Sequence, residues 1–460
     1  MDNTGQKVIS VRWVCTSKEG KVKARLCARG FEDTEIQDRT DSPTCAKSNL
    51  RLIISIAASK SWTINSLDIQ SAFLQGQEMK REVYLQPPIE ANTNKLWRLR
   101  KCVYGLNEAS RMWYLRVSNE LLSLGVTKSK FDEAVFFWHS NSVLEGVIAS
   151  HVDDFLWAGS DKFKENIIHK LTNTFKISSE MQDSFKYIGL DIRKVVDGIQ
   201  LNQERYIENI REARIIGNKE KQRKLLPEEK DDFRSIIGQI GWVANQTRPD
   251  LSYEACQMSI AYKDACVEDI LKANKSIKKM KQNQVAIKFS KLQNTSGCRI
   301  VTFCDASFKN LPDEGSQGGF IIFLCDKEGN SSPIHWQSKK IKRIVKSTLA
   351  AECLALQESA ETAFYIKTIL CEILNINQQD ITIECYTDNK SLVDSVHSSK
   401  TLQDKKLIID MAIVKEMLQK KEISCINWIE TSKQLADSLT KSGASSAKLQ
   451  DVICEGKVQL

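Results

Sequence analysis

Short apolar runs separated by turn residues dominate the first third of the chain. The runs "WTINSLDIQSAFL" and "VLEGVIASHVDDFLWAG" are rich in β-branched and aromatic residues and predict strands. In the second run, two adjacent aspartates interrupt the apolar pattern, which predicts a hairpin with Asp153 and Asp154 at or beside its turn. Apolar residues at helical spacing in "NEASRMWYLRVSNELLSLG" predict an amphipathic helix that ends at Gly125, and a further helix is predicted over residues 162–175.

The remainder of the chain separates at two polar stretches. Residues 217–230 are charged and suggest a first domain boundary, residues 231–290 have a helical pattern, and "SKLQNTSG" at 290–297 suggests a second boundary. The last part predicts three strands, the long helix "STLAAECLALQESAETAFYIKTILCEIL", a strand, two helices, a strand and a last helix at "TSKQLADSLTK". This order is typical of a mixed α/β sheet.

Composition restricts the class of protein without identifying it. A length of 460 residues predicts two or three domains, and 42% hydrophobic with 27% charged residues is typical of globular proteins. No apolar run is long enough to span a membrane, and "MDNTGQKVIS" does not have the pattern of a signal peptide. The net charge of +8 includes basic clusters such as "IKRIVKS", which are either nucleic-acid contacts or solvated faces. The 14 cysteines form no CxxC pair, which predicts neither zinc nor disulfides.

Acidic residues recur at the positions where charge is least expected. Two carboxylates about 4 Å apart near a protein surface repel by roughly 4 kcal/mol, so an aspartate pair in an apolar hairpin needs a cationic partner. In the last domain, acids also lie on four successive predicted elements. Asp388 alone could cap the helix that begins at Asn389, and Glu352 alone could be solvated. Four acids on the strands and helices of one predicted mixed sheet instead predict a site for divalent cations. They are Asp305 in the first strand, Glu352 in the long helix, Asp388 at the end of the fourth strand and Asp437 in the last helix.

The motifs, in their order and spacing, resemble the reverse transcriptase and ribonuclease H part of copia-type retrotransposon Pol polyproteins over nearly the whole chain. The resemblance rests on "KARLCARGF", "LDIQSAFLQG", "LWRLRKCVYGLNEASRMWY", "HVDDFLWAG", "TRPDLSYEA", "STLAAECLAL", "YTDNKSLV" and "QLADSLTK". It implies an α/β (α+β) fold, with right-hand polymerase palm, fingers and thumb followed by a ribonuclease H-like mixed sheet. The domains expected are fingers and palm at 1–216, a helical thumb or connection at 217–297, ribonuclease H at 298–445 and a tail at 446–460.

The resemblance also implies roles for individual residues. Asp68, Asp153 and Asp154 match the polymerase carboxylates, and the four acids of the last domain match those of ribonuclease H; each set would bind two Mg²⁺ ions, with Mn²⁺ as a substitute. Phe73 matches the aromatic residue under the incoming sugar, although it could equally be a core phenylalanine beside Leu74. Nucleotide or template contacts are expected from Lys23, Arg25, Phe73, Gly105 and His151.

Two departures from the family accompany this resemblance. His151 stands where the family has the tyrosine of Tyr-x-Asp-Asp. In "YGLNEAS", Asn107, Glu108 and Ser110 replace Lys, Gln and Pro, which removes a positive charge expected to lie near nucleic acid.

The activity implied is RNA-directed and DNA-directed DNA synthesis, coupled to cleavage of RNA in RNA–DNA hybrids. The partners would be an RNA template, a DNA primer, the hybrid, dNTPs and other Gag or Pol products, in cytoplasmic virus-like particles or the nucleus and without a membrane. The chain starts inside the expected fingers, so it would be a truncated piece of a polyprotein. Two alternatives therefore stay open: an inactive remnant that binds nucleic acid, and a protein that retains only ribonuclease H activity.

Overall fold

A computed structural model describes residues 8–18, 20–35, 39–293, 297–398 and 404–460 of the chain. The chain forms two compact units. Unit 1 contains the described residues up to Ala46 together with Asn65–Gln182, and unit 2 contains Lys47–Ile64 and Asp183–Leu460. A short internal segment, Lys47–Ile64, therefore belongs to the unit that is otherwise built from the C-terminal part of the chain.

Unit 1 is rich in strands. Its strands are β1 (Val8–Ile9), β2 (Val11–Lys18), β3 (Lys21–Ala28), β4 (Thr63–Ile69, whose first two residues belong to unit 2), β5 (Tyr84–Leu85), β6 (Trp97–Arg98), β7 (Thr127–Lys128), β8 (Val135–Ser140), β9 (Val143–His151), β10 (Asp154–Gly159) and β11 (Ile177–Gln182). Its helices are α2 (Ala109–Ser123), α3 (Asp161–Phe163) and α4 (His169–Thr174), with a π-helical turn at Lys164–Ile168 between the last two.

The central sheet of unit 1 has the strand order β11-β4-β10-β9-β8-β7. Its apolar core combines residues of the strands with residues of α2 and of the segment from α3 to α4, including Trp113, Phe136, Trp157 and Phe163. The hairpin predicted around the paired aspartates is present as β9 and β10, and it is therefore fixed within a packed sheet.

Unit 2 begins with α1 (Lys47–Ser59), an apolar helix. Its strands are β12 (Ser184–Tyr187), β13 (Leu190–Val195), β14 (Gly198–Asn202), β15 (Ile287–Ser290), β16 (Arg299–Ser307), β17 (Ser316–Cys325), β18 (Ser331–Ile341), β19 (Thr382–Thr387) and β20 (Cys425–Trp428). Its further helices are α5 (Glu204–Glu208), α6 (Pro227–Gln246), α7 (Ser252–Ala261), α8 (Val267–Gln282), α9 (Thr348–Leu374), α10 (Lys390–His397), α11 (Lys405–Gln419) and α12 (Ala447–Glu455).

The predicted mixed sheet is the five-stranded sheet of unit 2, with the order β18-β17-β16-β19-β20. The first three strands are antiparallel, whereas β16, β19 and β20 are parallel. A separate four-stranded antiparallel sheet contains β12 to β15, and an apolar cluster joins helices α6, α7 and α8. Mixed helices and sheets in both units agree with the predicted α+β class.

One predicted element of this unit is wrong. The segment "TSKQLADSLTK" forms two separate 3₁₀ turns, Thr431–Lys433 and Asp437–Leu439, instead of one helix. Gln434 lies between them with an extended backbone. The side-chain nitrogen of Gln434 donates to the Cys304 carbonyl at 2.9 Å, and the side-chain oxygen accepts from the backbone amide of Ala436 at 3.1 Å. These bonds anchor the segment to β16 and replace the bonds that a continuous helix would make.

None of the helices in the described part of the chain has the length and apolar character needed to cross a membrane.

Candidate active sites

The paired aspartates of unit 1 occupy a two-residue turn and the start of the following strand. His151 pairs with Asp154 across the hairpin, so Val152 and Asp153 form the turn itself. Val152 has a φ of 60°, in the left-handed region that a β-branched residue rarely adopts. The Trp113 indole donates to the Val152 carbonyl at 2.7 Å and fixes this conformation from α2. The turn is therefore held by the core.

Asp68 reaches the same place from β4, the neighbour of β10 in the sheet. The Ile69 amide donates to the Asp153 carbonyl at 3.1 Å, which fixes β4 against the turn. Burial raises the pKa of Asp153, and the nearby charge of Asp68 adds to the increase. Within the described residues, Asp68, Asp153 and Asp154 do not form a set of three ligand atoms within 4.8 Å of one another.

Two basic residues expected at this site do lie within its electrostatic range. Lys23 and Arg25 project from β3, and both oppose the rise in the pKa of Asp153. His151 is half-buried at the end of β9, and its backbone also pairs with Thr44. Burial lowers the pKa of His151, although the charge of Asp153 opposes the change.

An aromatic pair stands beside these charges. Phe73 lies in the 3₁₀ turn Ala72–Gln75 directly after β4, with its ring 4.8 Å from the ring of Tyr104. The Arg25 guanidinium lies 5.4 Å from the centre of the Tyr104 ring. Burial raises the pKa of Tyr104, and Asp153 adds to this effect. Tyr104 is a residue of the site that sequence reasoning did not single out, although it precedes the glycine of a quoted motif.

Gly105 is required by a close approach of two chain segments. Its φ is 94°, and a Cβ atom at this position would lie 2.0 Å from the Ala28 carbonyl oxygen. The Ala28 amide donates to the Tyr104 carbonyl at 2.7 Å. Gly105 therefore fixes Tyr104 against the end of β3.

The departure at Glu108 has a structural explanation. Glu108 is buried, and Arg81 donates to its carboxylate from Nε at 2.8 Å. The same guanidinium bonds to Asp33 at 2.6 Å. The lost positive charge is thus accompanied by a partly buried ion-pair network, in which Glu108 serves as a partner of Arg81.

The second site lies in unit 2 at the carboxyl ends of the parallel strands β16 and β19 of the mixed sheet. Asp305 lies in β16, Asp388 directly follows β19, and Asp437 opens the second 3₁₀ turn. One carboxylate oxygen from each lies within 4.8 Å of the others. The adjacent parallel strands β16 and β19 bring Asp305 and Asp388 together. The bonds of Gln434 bring the turn that contains Asp437 to the same ends of these strands.

Glu352 reaches this cleft from the first turns of α9. The cleft has a volume of about 490 Å³, and its walls include Asp305, Glu352 and Asp388. Glu352 is only 4% exposed, and its Oε2 atom has no hydrogen-bond partner within the described residues. Burial, followed by the charges of Asp305 and Asp388, raises the pKa of Glu352. Burial likewise raises the pKa of Asp305.

Two hydroxyls and an ammonium group complete this cluster, and sequence reasoning found none of the three. The Thr440 hydroxyl donates to Asp305, and the Thr431 hydroxyl donates to Asp388 at 2.8 Å. Lys441 Nζ lies 2.5 Å from Asp437 Oδ1 and 3.3 Å from Asp305 Oδ2. The only sequence signal was the spacing of four residues between Asp437 and Lys441, which is too common to be informative by itself.

The donor set of unit 2 fits a hard divalent cation. Every candidate ligand is a carboxylate oxygen, which is the ligand type that Mg²⁺ and Mn²⁺ prefer in proteins. The unpaired buried oxygen of Glu352 and the raised pKa values of Glu352 and Asp305 both indicate carboxylates in excess of their cationic partners. A divalent ion would correct this imbalance.

Known proteins resemble this chain in sequence. Residues 2–226 match the family model described as reverse transcriptase (RNA-dependent DNA polymerase). The chain is 27% identical, over 94% of its length, to the retrovirus-related Pol polyprotein from transposon RE1 of Arabidopsis thaliana. It is 26% identical, over 95% of its length, to the polyprotein from transposon TNT 1-94 of Nicotiana tabacum. The chain spans about a third of the length of these relatives, 31% and 35%.

Solved structures support the same fold. The chain is similar to the foamy viral protease-reverse transcriptase in complex with dsDNA, with a TM-score of 0.51 and 13% sequence identity. The match covers 92% of this chain and 77% of the foamy viral chain. The complex of that enzyme with an RNA/DNA hybrid also gives a TM-score of 0.51, at 12% identity. At this identity the likeness concerns the fold alone. Residues 2–226 match the reverse transcriptase family model, and the chain as a whole is similar in sequence to retrotransposon Pol polyproteins.

Proposed function

We propose that this chain is an RNA-directed DNA polymerase that also cleaves the RNA strand of RNA–DNA hybrids. The observation that carries the proposal is that each unit brings together carboxylates from distant points of the sequence. In unit 1 the charge of Asp68 acts on Asp153, and in unit 2 oxygens of Asp305, Asp388 and Asp437 lie within 4.8 Å of one another. The substrates would be an RNA template, a DNA primer, dNTPs and the hybrid product. The domains would follow the order expected for the family, with the polymerase before residue 217 and the nuclease after residue 297.

In unit 1, Asp68, Asp153 and Asp154 would hold Mg²⁺ beside the 3′ end of the primer. Bound Mg²⁺ supplies positive charge that stabilises the phosphate during phosphoryl transfer. The aromatic pair formed by Phe73 and Tyr104 would contact the sugar of the incoming nucleotide. Lys23 and Arg25 oppose the rise in the pKa of Asp153, and this proximity supports a role in binding the phosphates of nucleotide or template.

In unit 2, Asp305, Glu352, Asp388 and Asp437 would hold Mg²⁺ in the cleft, again with Mn²⁺ as a substitute. The hydroxyls of Thr440 and Thr431 donate to Asp305 and Asp388, and these bonds orient the carboxylates toward the common point. The hybrid would be recognised through its groove shape and the 2′-hydroxyls of its RNA strand.

Primer extension on poly-rA/oligo-dT with Mg²⁺ tests the polymerase. We expect the parent chain to extend the primer and Asp153→Asn to reduce the rate by about a hundredfold or more, because the variant weakens a charge-stabilising ligand. Asp161→Asn removes an exposed carboxylate from the start of α3 in the same unit and serves as the matched control. Absence of extension by the parent chain, or equal rates for parent and Asp153→Asn, would refute the polymerase.

A nuclease without polymerase activity is the second candidate. It is favoured by one observation: the three-carboxylate set within 4.8 Å is in unit 2, whereas the acids of unit 1 do not form so tight a set in the described structure. Cleavage of a labelled RNA–DNA hybrid distinguishes the candidates. Cleavage that is lost in Asp388→Asn and kept in the exposed α10 variant Asp394→Asn, together with no extension by the parent, would establish this second function.

A further inference from the structure

The ion pairs that reach Asp305, Asp388 or Asp437 in the described part of the chain all come from Lys441. Its Nζ atom bridges Asp437 and Asp305, at 2.5 and 3.3 Å. The ammonium group thus lies among the same carboxylates that would bind a divalent cation. Lys441 also lines the cleft, and its side chain is 39% exposed, so the ammonium can move to solvent without unfolding the site.

The geometry of the turn makes this placement specific. The amides of Thr440 and Lys441 both donate to the Asp437 carbonyl at 3.1 Å, so one turn of chain presents a carboxylate, a hydroxyl and an ammonium to Asp305. Lys433 is four residues before Asp437, as Lys441 is four residues after it, but Lys433 is exposed and forms no ion pair within the described residues.

Electrostatics explains what the ammonium does. Like charges crowded at a buried site repel strongly, and a single cation between two of them removes much of the repulsion. A lysine ammonium ordinarily loses its proton only near about pH 10.4, and Lys441 contacts the carboxylates of both Asp305 and Asp437. The side chain is thus a permanent cation at physiological pH.

We infer that Lys441 is a resident counter-ion of the carboxylate cluster, which holds Asp305 and Asp437 together without metal and must withdraw when a divalent cation binds. Lys441 is in this sense a positioning residue that competes with the metal. The inference rests on the nuclease site of the proposed function. It predicts opposite effects of removing the lysine: the metal-free protein becomes less stable, and the affinity for Mg²⁺ increases.

The test is thermal unfolding of the full chain in EDTA and across a Mg²⁺ titration, without nucleic acid. All proteins carry Asp68→Asn and Asp153→Asn, so that the response to Mg²⁺ reports the cluster in unit 2. We expect Lys441→Met to lower the melting temperature in EDTA. We also expect it to lower the Mg²⁺ concentration that gives half of the maximal rise in melting temperature, the Mg²⁺ midpoint, by about tenfold, because the variant removes a charge that competes with Mg²⁺. Lys433→Met, with the same change in net charge, should match the parent, and Lys441→Arg should stay close to it.

Each outcome has a distinct meaning. A Mg²⁺ midpoint for Lys441→Met that is equal to or above that of the parent overturns the competition. If neither protein responds to Mg²⁺, the metal cluster itself is refuted, and with it both the proposed nuclease and this inference. If Lys441→Met does not fold, Lys441→Gln replaces it, because glutamine is neutral but can still donate a hydrogen bond to Asp437. The expected decrease in the Mg²⁺ midpoint is again about tenfold.

Discussion

Val152 combines a β-branched side chain with a φ of 60°, in the turn that carries Asp153. This conformation costs a non-glycine residue about 1–3 kcal/mol. The cost is tolerated because the Trp113 indole and the Ile69 amide each donate to a carbonyl of the turn. The strained turn is therefore held in place by its hydrogen bonds to the surrounding core.

We therefore predict that Val152→Gly stabilises unit 1 by about 1 kcal/mol, because glycine adopts this φ without strain and its greater freedom in the unfolded chain offsets only part of the gain. Chemical denaturation measures the change. The matched control is Val143→Gly in the same hairpin, an exposed strand residue whose replacement should destabilise by about 0.5–1 kcal/mol. Equal losses in the two variants would show that Val152 is not strained.

At the same scale, the candidate metal-binding acids could be recognised from the sequence, but their partners could not. Asp305 and Asp388 each follow an apolar run, and this pattern predicts the end of a buried strand. Lys441 and Tyr104 carry no such signal. Their roles depend on where a short turn and a glycine contact direct them, which are consequences of tertiary packing.

At the scale of elements, α1 packs against β18 through a cationic contact. The Arg51 guanidinium lies 3.7 Å from the centre of the Trp336 ring and donates to the carbonyls of Ile334 and Asn245 at 3.3 and 2.5 Å. His335 is on the same strand and stacks on Phe320. Burial, with smaller contributions from Arg51 and Lys47, lowers the pKa of His335 from 6.5 to about 4.

This shift predicts a loss of stability in acid. Below pH 6.5 the unfolded chain binds a proton at His335, whereas the folded chain does so only near pH 4, so stability falls as the pH decreases through this window. The loss should approach about 3 kcal/mol at pH 4.

Urea denaturation between pH 7 and 4 measures this loss. His335→Gln should have a shallower dependence on pH than the parent, although it is less stable at pH 7 because it loses the stack on Phe320. The exposed His397→Gln serves as control and should keep the parental slope. Parallel curves for all three proteins would contradict the prediction.

Periodicity predicted most of these elements because it reports which face of a helix or strand is buried. It identified the hairpin, the long α9 and the helices α6, α7 and α8. The last part of the stretch predicted to be helical, Ile287–Ser290, is instead the strand β15. Periodicity also failed at "TSKQLADSLTK", where helix-compatible residues form two turns instead. The side chain of Gln434 bonds to β16, a strand 130 residues earlier in the chain, and no local pattern contains that partner.

At the scale of the molecule, neither unit is built from one continuous segment of the sequence. Helix α1 comes from the N-terminal part of the sequence but belongs to unit 2. Four of its large apolar side chains are fully buried there: Leu52, Ile53, Ile54 and Ile56. The domains expected from the sequence are consecutive segments. Apolar periodicity could not assign α1 to unit 2, because it shows that a helix is buried but does not show against which partner.

This arrangement predicts that a fragment of residues 183–460 is incomplete. Without α1, the unit exposes the surface that those four side chains cover, and each buried side chain contributes about 1.5–3 kcal/mol, so a loss of at least about 5 kcal/mol is expected. The remedy is also defined by the structure. The Asp183 amide donates to the Ile64 carbonyl at 2.8 Å, so residues 47–64 can be joined to Asp183 through a short glycine linker.

The measurement compares the melting temperatures of three proteins: the fragment alone, the fragment joined to residues 47–64, and the joined form carrying Ile53→Asp. We expect a cooperative transition in the joined form, at a temperature well above that of the fragment. Ile53→Asp should abolish most of this gain, because it places a charge at a position with 0% exposure. Equal melting temperatures for the fragment and the joined form would show that α1 is dispensable for unit 2, and would restore the simpler division of the chain into consecutive domains.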